Sequence, residues 1–155
     1  MLIDTILVAT DFSVNAQVAF KKAYDFALQF NATLHVLHVQ DESNLRVAIK
    51  EGLLDERQTD EELTKAVETL TAERFSTMLA GIDRSVVALQ PASRRGDAGK
   101  VIADYAGEVN AGMVVIGRRG AGVMMGLLNA VVGSVAESVI RRSPCPVLIV
   151  RSDHE

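Results

Sequence analysis

Two hydrophobic patterns alternate along this chain. Between the apolar runs, hydrophobic residues recur at helical spacing, as on the buried face of an amphipathic helix. The runs themselves are short and rich in β-branched residues, which is typical of strands covered on both faces. We predict five strands, at Ile3 to Ala9, Thr33 to Val39, Ser85 to Leu89, Met113 to Ile116 and Pro146 to Val150, and we expect Pro91 to end the third.

Polar residues indicate where the helices begin. Ser13 is a candidate N-cap, and Thr59 with Glu62 has the spacing of a capping box. Gly96-Asp97 predicts another helix start, and a short helix is expected from Ser134 to about Arg142. The polar residues 40–58 are expected to form a connection with, at most, one helical turn. The first helix should bury one stripe, consisting of Ala16, Ala19, Phe20, Ala23, Ala27 and Phe30.

The resulting order βαβαβαβαβ predicts an α/β fold. Right-handed crossovers and helices on both faces favour a doubly wound, five-stranded parallel sheet with strand order 3-2-1-4-5. The length of 155 residues fits a single domain, 1–155, and neither a repeat nor a linker interrupts it.

Composition narrows the function classes. Hydrophobic residues make up 48% and charged residues 23%, which is ordinary for a globular protein. A net charge of −4 argues against a nucleic-acid partner, and no apolar run has the length of a membrane span. The single cysteine, Cys145, excludes an intramolecular disulfide and favours a reducing compartment. Without the basic start of a signal peptide, the cytoplasm is the predicted location.

The predicted strand order indicates where a binding crevice should lie. In doubly wound sheets ligands bind beyond the carboxyl ends of the strands where the strand order reverses, here between the first and fourth strands. The turn Thr10–Ser13 and the glycine-rich segment 117–133 follow those strands. Glycines let backbone amides approach a phosphate, and Gly133-Ser134 precedes a helix whose dipole favours anions. Arg118 and Arg119 would add positive charge.

Structural explanations exist for the same residues. Ser134 and Glu137 have capping-box spacing, so the serine could serve only its own helix. The glycines could mark turns only, and Asp11 could hydrogen-bond only within its own turn. His35 and His38, three apart on a strand, face opposite sides and make no metal pair. We find no catalytic constellation and no metal-ligand pattern.

Several segments resemble the universal stress proteins, over essentially the whole chain. They are Ile6-Leu-Val-Ala-Thr-Asp11-Phe-Ser13, Leu34-His-Val-Leu-His-Val39, Arg95-Gly96-Asp97, Gly133-Ser-Val-Ala-Glu137 and Pro144-Cys-Pro-Val-Leu-Ile-Val150. The ATP-binding branch of that family carries Gly-x2-Gly-x9-Gly-[Ser/Thr]. Here Gly117, Gly120, Gly133 and Ser134 match, but twelve residues, 121–132, stand where the family has nine.

The resemblance implies a nucleotide site. Asp11 and the Val39 backbone would hold adenine with Thr10 alongside, and Ile116 and Gly117 would line the ribose and α-phosphate. The phosphates would contact Gly120, Gly133, Ser134 and Val135. The charge of Arg119 is not part of this resemblance, and Arg118 and Arg119 could equally be plain solvated side chains. The implied ligand is ATP, AMP or a related adenine nucleotide, with Mg²⁺ as a candidate companion. The family also implies a homodimer through the last strand, Pro146 to Val150, a predicted sheet edge that needs cover.

Three functions follow as hypotheses. The first is a dimeric stress-response module that binds ATP with little or no turnover. The second is an interaction module without nucleotide, suggested by the apolar, methionine-rich residues 123–132. The third is a slow ATPase, for which Asp11 is the only carboxylate that we place in the crevice.

Overall fold

The computed structural model of the chain describes residues 2–119 and 132–152. The strands are β1 (Thr5–Thr10), β2 (Thr33–Gln40), β3 (Leu89–Arg95), β4 (Met113–Gly117) and β5 (Val147–Val150). The helices are α1 (Val14–Phe30), α2 (Glu42–Lys50), α3 (Asp60–Leu79), α4 (Ala98–Glu108) and α5 (Ser134–Arg142).

All five strands form one parallel sheet in the order β3-β2-β1-β4-β5. Leu7 of β1 stands opposite His35 of β2 on one side and Val114 of β4 on the other. The predicted α/β fold, with its strand order and parallel sheet, is confirmed. The central strand therefore ends at the reversal point, with β2 and β4 as its neighbours.

Alternating residues of the strands face two cores. Val8 points to the core that contains Phe20 of α1, whereas Leu7 points to the core that contains Ile102 of α4 and Val139 of α5. Both strand residues are fully buried, as the apolar runs predicted. Helices cover both faces of the sheet, so a site for polar groups is expected at the carboxyl ends of the strands.

The predicted bounds of the third strand were wrong. The strand runs from Leu89 to Arg95, where we expected Ser85 to Leu89, and Pro91 lies inside it opposite Val36. Proline lacks an N–H and is tolerated in a strand at the edge of a sheet, which is where β3 lies. Val87, which lay within the predicted strand, is buried before the observed strand begins.

Two further local expectations were wrong. Residues 42–50 form helix α2, where we expected a connection. Asp41 caps this helix, because its side chain accepts a hydrogen bond from the Asn44 N–H. Phe30 is 41% exposed at the end of α1, whereas the other five residues of the predicted stripe are buried. Among the described helices, none combines the length and apolarity needed to cross a membrane.

Candidate functional site

A cavity of about 310 Å³ opens at the carboxyl ends of β1, β2 and β4. This is where the strand order reverses and where topology placed the crevice. Its volume lies at the lower end of the range typical of small-molecule pockets, roughly 300–1,000 Å³. The wall includes Ala9, Thr10, Asp11, Leu37, Val39, Asp41, Asn44, Ala98, Ile102, Ile116, Gly117, Arg118, Arg119, Gly133, Ser134, Val135 and Ala136.

The turn after β1 presents Asp11 to this cavity. One carboxylate oxygen of Asp11 accepts a hydrogen bond of 3.0 Å from the Ser13 N–H, and the Thr10 hydroxyl oxygen accepts one of 3.0 Å from the Phe12 N–H. Ser13 in turn caps α1. Asp11 therefore both closes its own turn and lines the cavity, so the two interpretations of this residue are compatible.

Phe12 is held in an unusual conformation. Its φ of 63° is in the left-handed region, which costs free energy for a residue with a bulky side chain. Its ring packs 4.7 Å from the His38 ring and 5.0 Å, edge-on, from the Phe75 ring of α3. These contacts pack Phe12 against the core that contains Phe20 and so hold the turn from which Asp11 lines the cavity. The sequence did not predict these contacts of Phe12.

Helix α2 contributes a polar wall beside the end of β2. Asn44 Nδ2 donates a hydrogen bond of 3.1 Å to the Val39 carbonyl oxygen. The Asp41 carboxylate accepts a hydrogen bond of 2.8 Å from the Asn44 N–H. Sequence reasoning missed both side chains because it assigned no helix here, although an acidic residue three positions before Asn44 is an N-cap signal.

The segment after β4 is tied to its surroundings through backbone groups. The Arg118 N–H donates to the Val150 carbonyl oxygen at 2.9 Å, and the Gly133 N–H donates to the Arg118 carbonyl oxygen at 2.8 Å. At Gly117, an added Cβ would come within 3.3 Å of the Asn15 carbonyl oxygen. Glycine is suited to this position because the backbone of α1 approaches it closely.

Helix α5 directs its amino end toward the cavity. Gly133 is the N-cap and has no side chain that could cap the helix. Ser134 is the first helical residue. The predicted capping box of Ser134 and Glu137 is therefore not formed. An α-helix leaves its first N–H groups without intrahelical partners, and the partial positive charge there favours anions. Since the Gly133 amide is engaged with Arg118, the donors offered here are those that follow it.

Close packing against α4 fixes the position of α5. A Cβ at Gly99 would collide with the side chain of Ser138. Gly99 is therefore required for the two helices to approach. Ala98 and Ile102 of α4 line the same cavity as Ser134 and Val135 of α5, so this contact helps to shape the cavity.

The structure brings together most of the residues that the sequence nominated. Gly120 lies in 120–131, outside the described residues, as does nearly all of the apolar segment 123–132. The other nine line the cavity, namely Thr10, Asp11, Val39, Ile116, Gly117, Arg119, Gly133, Ser134 and Val135.

Charge is divided across the cavity. The carboxylates of Asp11 and Asp41 lie where β1 and β2 end, whereas Arg118 and Arg119 follow β4. Within 2–119 and 132–152, no group of three or more histidine, cysteine or acidic residues is arranged to hold a metal ion. The cavity wall therefore combines acidic side chains, cationic side chains and the start of α5.

The chain shares its sequence pattern with known proteins. The sequence model of the universal stress protein family matches residues 3–151. A universal stress protein of Staphylococcus saprophyticus is 31% identical over 153 residues, a match covering 96% of this chain and 84% of that protein.

Solved structures show the same fold. The protein MJ0577 aligns over 100% of both chains with a TM-score of 0.78 and 23% identity. A universal stress protein in complex with cAMP aligns over 97% of this chain and 98% of its own, with a TM-score of 0.64 and 22% identity. One from Archaeoglobus fulgidus in complex with dAMP aligns over 96% and 98%, with a TM-score of 0.58 and 23% identity. The match of the family model and the relative that is 31% identical establish that the chain belongs to the universal stress protein family.

Proposed function

We propose that the cavity binds an adenine nucleotide, ATP or a related one such as AMP. The observation that carries this proposal is the division of groups across it. Val39 lies near the end of β2 and Asp11 follows β1, whereas Arg118 and Arg119 follow β4 and Ser134 begins α5, and all of them line the cavity. Adenine offers an exocyclic amine to acceptors, whereas phosphates favour amides and guanidinium groups.

The dimensions support the same ligand. β2 and β4 flank β1, so their ends are about 10 Å apart at two strand spacings. A nucleotide lying across the end of β1 would place its base near Val39 and its phosphates near Gly117 and α5. The family members in complex with cAMP and dAMP add independent support for an adenine nucleotide.

The positions of the carboxylates support binding with little or no turnover. The carboxylates that line the described part of the cavity, Asp11 and Asp41, are both on the base side. Hydrolysis of a terminal phosphate needs a positioned water and charge neutralisation beside that phosphate. Any Mg²⁺ would then be held by phosphate oxygens and would arrive with the nucleotide.

Titration of purified protein tests the proposal. We expect ATP to raise the unfolding temperature and to release heat on binding, with a stabilisation of about 2.7 kcal/mol at 100 times the dissociation constant. Asp11→Ala should weaken adenosine and ATP by similar factors, because it removes a contact to the shared base. No binding at millimolar ATP contradicts the proposal, and phosphate release over many turnovers contradicts the absence of catalysis.

The protein would act as a cytoplasmic homodimer in the response to stress. β5 lies at the edge of the sheet, and Val147, Leu148 and Ile149 are only partly buried in the single chain. A free apolar edge favours pairing with a second copy. Light scattering during size-exclusion chromatography should give twice the chain mass of 16.7 kDa. A monomer at tens of micromolar would contradict the dimer.

A further inference from the structure

Asn15 connects three parts of the chain that are distant in sequence. It is the second residue of α1 and is not part of the cavity wall. Its Nδ2 donates a hydrogen bond of 3.2 Å to the Arg119 carbonyl oxygen, and its Oδ1 accepts one of 2.6 Å from the Ser152 hydroxyl. The side chain therefore bridges the segment after β4 and the residues after β5.

The chemistry of the partners fixes the orientation of this amide. A backbone carbonyl can only accept, so Nδ2 must face Arg119, and the Ser152 hydroxyl can then donate to Oδ1. Ser152 is only 4% exposed, which keeps water from competing for its bond. The Asn15 amide nitrogen is thus paired with the Arg119 carbonyl oxygen, and the Asn15 amide oxygen with the Ser152 hydroxyl.

The bridge continues to the start of α5. Arg119 follows Arg118, whose N–H donates to Val150 and whose carbonyl oxygen accepts the Gly133 N–H. Gly133 is the N-cap of α5, so the amides next to it move with this chain of bonds. Asn15 also approaches Gly117 through its carbonyl oxygen. Its backbone and its side chain therefore hold the segment after β4 at two points.

We propose that Asn15 is a positioning residue for the phosphate side of the cavity. It acts through the carbonyl of Arg119 and sets the place of Arg118 and of the first amides of α5, without touching the ligand. This inference rests on the proposed nucleotide function. It adds that ligands with phosphates and the nucleoside should respond differently to the loss of Asn15. Loss of Asn15 should weaken ligands that carry phosphates and spare the nucleoside.

Calorimetric titrations with adenosine and with ATP test this on the full chain. In Asn15→Ala we expect the adenosine affinity to stay within twofold of the wild type and the ATP affinity to fall by about five- to tenfold. Alanine is a good helix former, so α1 should still form. Ser152→Ala is the matched control, because it removes one bond of the bridge and leaves Asn15 bonded to Arg119. It should lower ATP affinity by less than Asn15→Ala does.

The outcomes distinguish failure of the proposed function from failure of this inference alone. A wild type that binds neither ligand overturns the proposed function and this inference with it. A wild type that binds both, with Asn15→Ala losing neither or losing both equally, overturns the inference alone. Equal losses of ATP affinity in Ser152→Ala and Asn15→Ala would also overturn it, because the bond to Arg119 would then carry no separate effect.

Discussion

The side-chain amide of Asn44 donates a hydrogen bond of 3.1 Å to the main-chain carbonyl oxygen of Val39. A carbonyl oxygen has two lone pairs, so this bond leaves one acceptor position for a ligand. The same bond holds the start of α2 against the end of β2. Asn44 therefore orients the acceptor that we assign to the base.

Replacing Asn44 should weaken binding of the base. We expect Asn44→Ala to lower the affinity for adenosine by about fivefold, the equivalent of one ordinary hydrogen bond. Asn44→Asp keeps the size of the side chain but cannot donate, and it should lose at least as much. Calorimetry with adenosine measures both. Unchanged or higher affinity in Asn44→Ala would mean that the amide competes with the base for Val39.

A methyl group at Gly99 should push α4 away from α5. Gly99→Ala places a Cβ against the side chain of Ser138, and overpacking of this kind costs about 1–3 kcal/mol. Urea unfolding measures the loss of stability. Adding Ser138→Gly removes the colliding atoms and should restore part of the loss, because a glycine inside α5 lowers helix propensity.

The control for that experiment lies on the same helix. A Cβ at Gly107 meets nothing within 4 Å, so Gly107→Ala gains helix propensity without a clash. It should stabilise the protein by up to about 1 kcal/mol. If Gly99→Ala were equally stabilising, the close approach of the two helices would not be required for the fold.

His35 should make the stability depend on mildly acidic pH. Burial lowers the pKa of His35 below its ordinary value of 6.5. Its Nδ1 lies 3.1 Å from the Tyr105 hydroxyl, and Arg94 lies over the Tyr105 ring at 5.1 Å. Below pH 6.5 the unfolded chain binds a proton that the folded chain resists, so stability falls as the pH falls toward the lowered pKa.

Urea unfolding between pH 7.5 and pH 5.5 tests this dependence. In His35→Asn, which keeps a polar group near Tyr105 but does not titrate, the loss of stability over this range should be smaller than in the wild type. The difference between the two slopes isolates His35 from the carboxylates, which are common to both proteins. Identical slopes would mean that His35 titrates alike in the folded and unfolded chain.

The capping box at the start of α3 should stabilise that helix. The Thr59 hydroxyl accepts from the Glu62 N–H at 3.3 Å, and the Glu62 carboxylate accepts from the Thr59 N–H at 3.0 Å. We expect Thr59→Ala to cost about 1 kcal/mol in urea unfolding. Thr64→Ala, on the exposed surface of the same helix, is the control and should cost less. Equal effects would show that the box is not what stabilises the helix.

The sheet and most of the cavity wall could be predicted because their signals are local. Apolar runs such as Ile6–Ala9 identify strands, and the topological rule then places whatever follows β1 and β4 at one crevice. The same local reasoning failed at Pro91, because tolerance of proline depends on β3 being an edge strand. That position is known only once the whole sheet is assembled.

The conformation of Phe12 could not be predicted from neighbouring residues. Its left-handed φ is compensated by contacts with His38 and with Phe75, which is distant in sequence. Local propensity disfavours this conformation, and tertiary packing overrides it. The role of Asn15 was missed for a related reason, since it depends on the Arg119 carbonyl oxygen, which lies 104 residues away in sequence.

The bond between Gly133 and Arg118 gives the longer glycine spacing of this chain a simple consequence. Because these two residues are joined at 2.8 Å, the end of β4 and the start of α5 are held together whatever number of residues separates them in sequence. Closing a flexible loop costs only about 0.6 kcal/mol more for each doubling of its length. Three additional residues between Gly120 and Gly133 therefore need not shift α5.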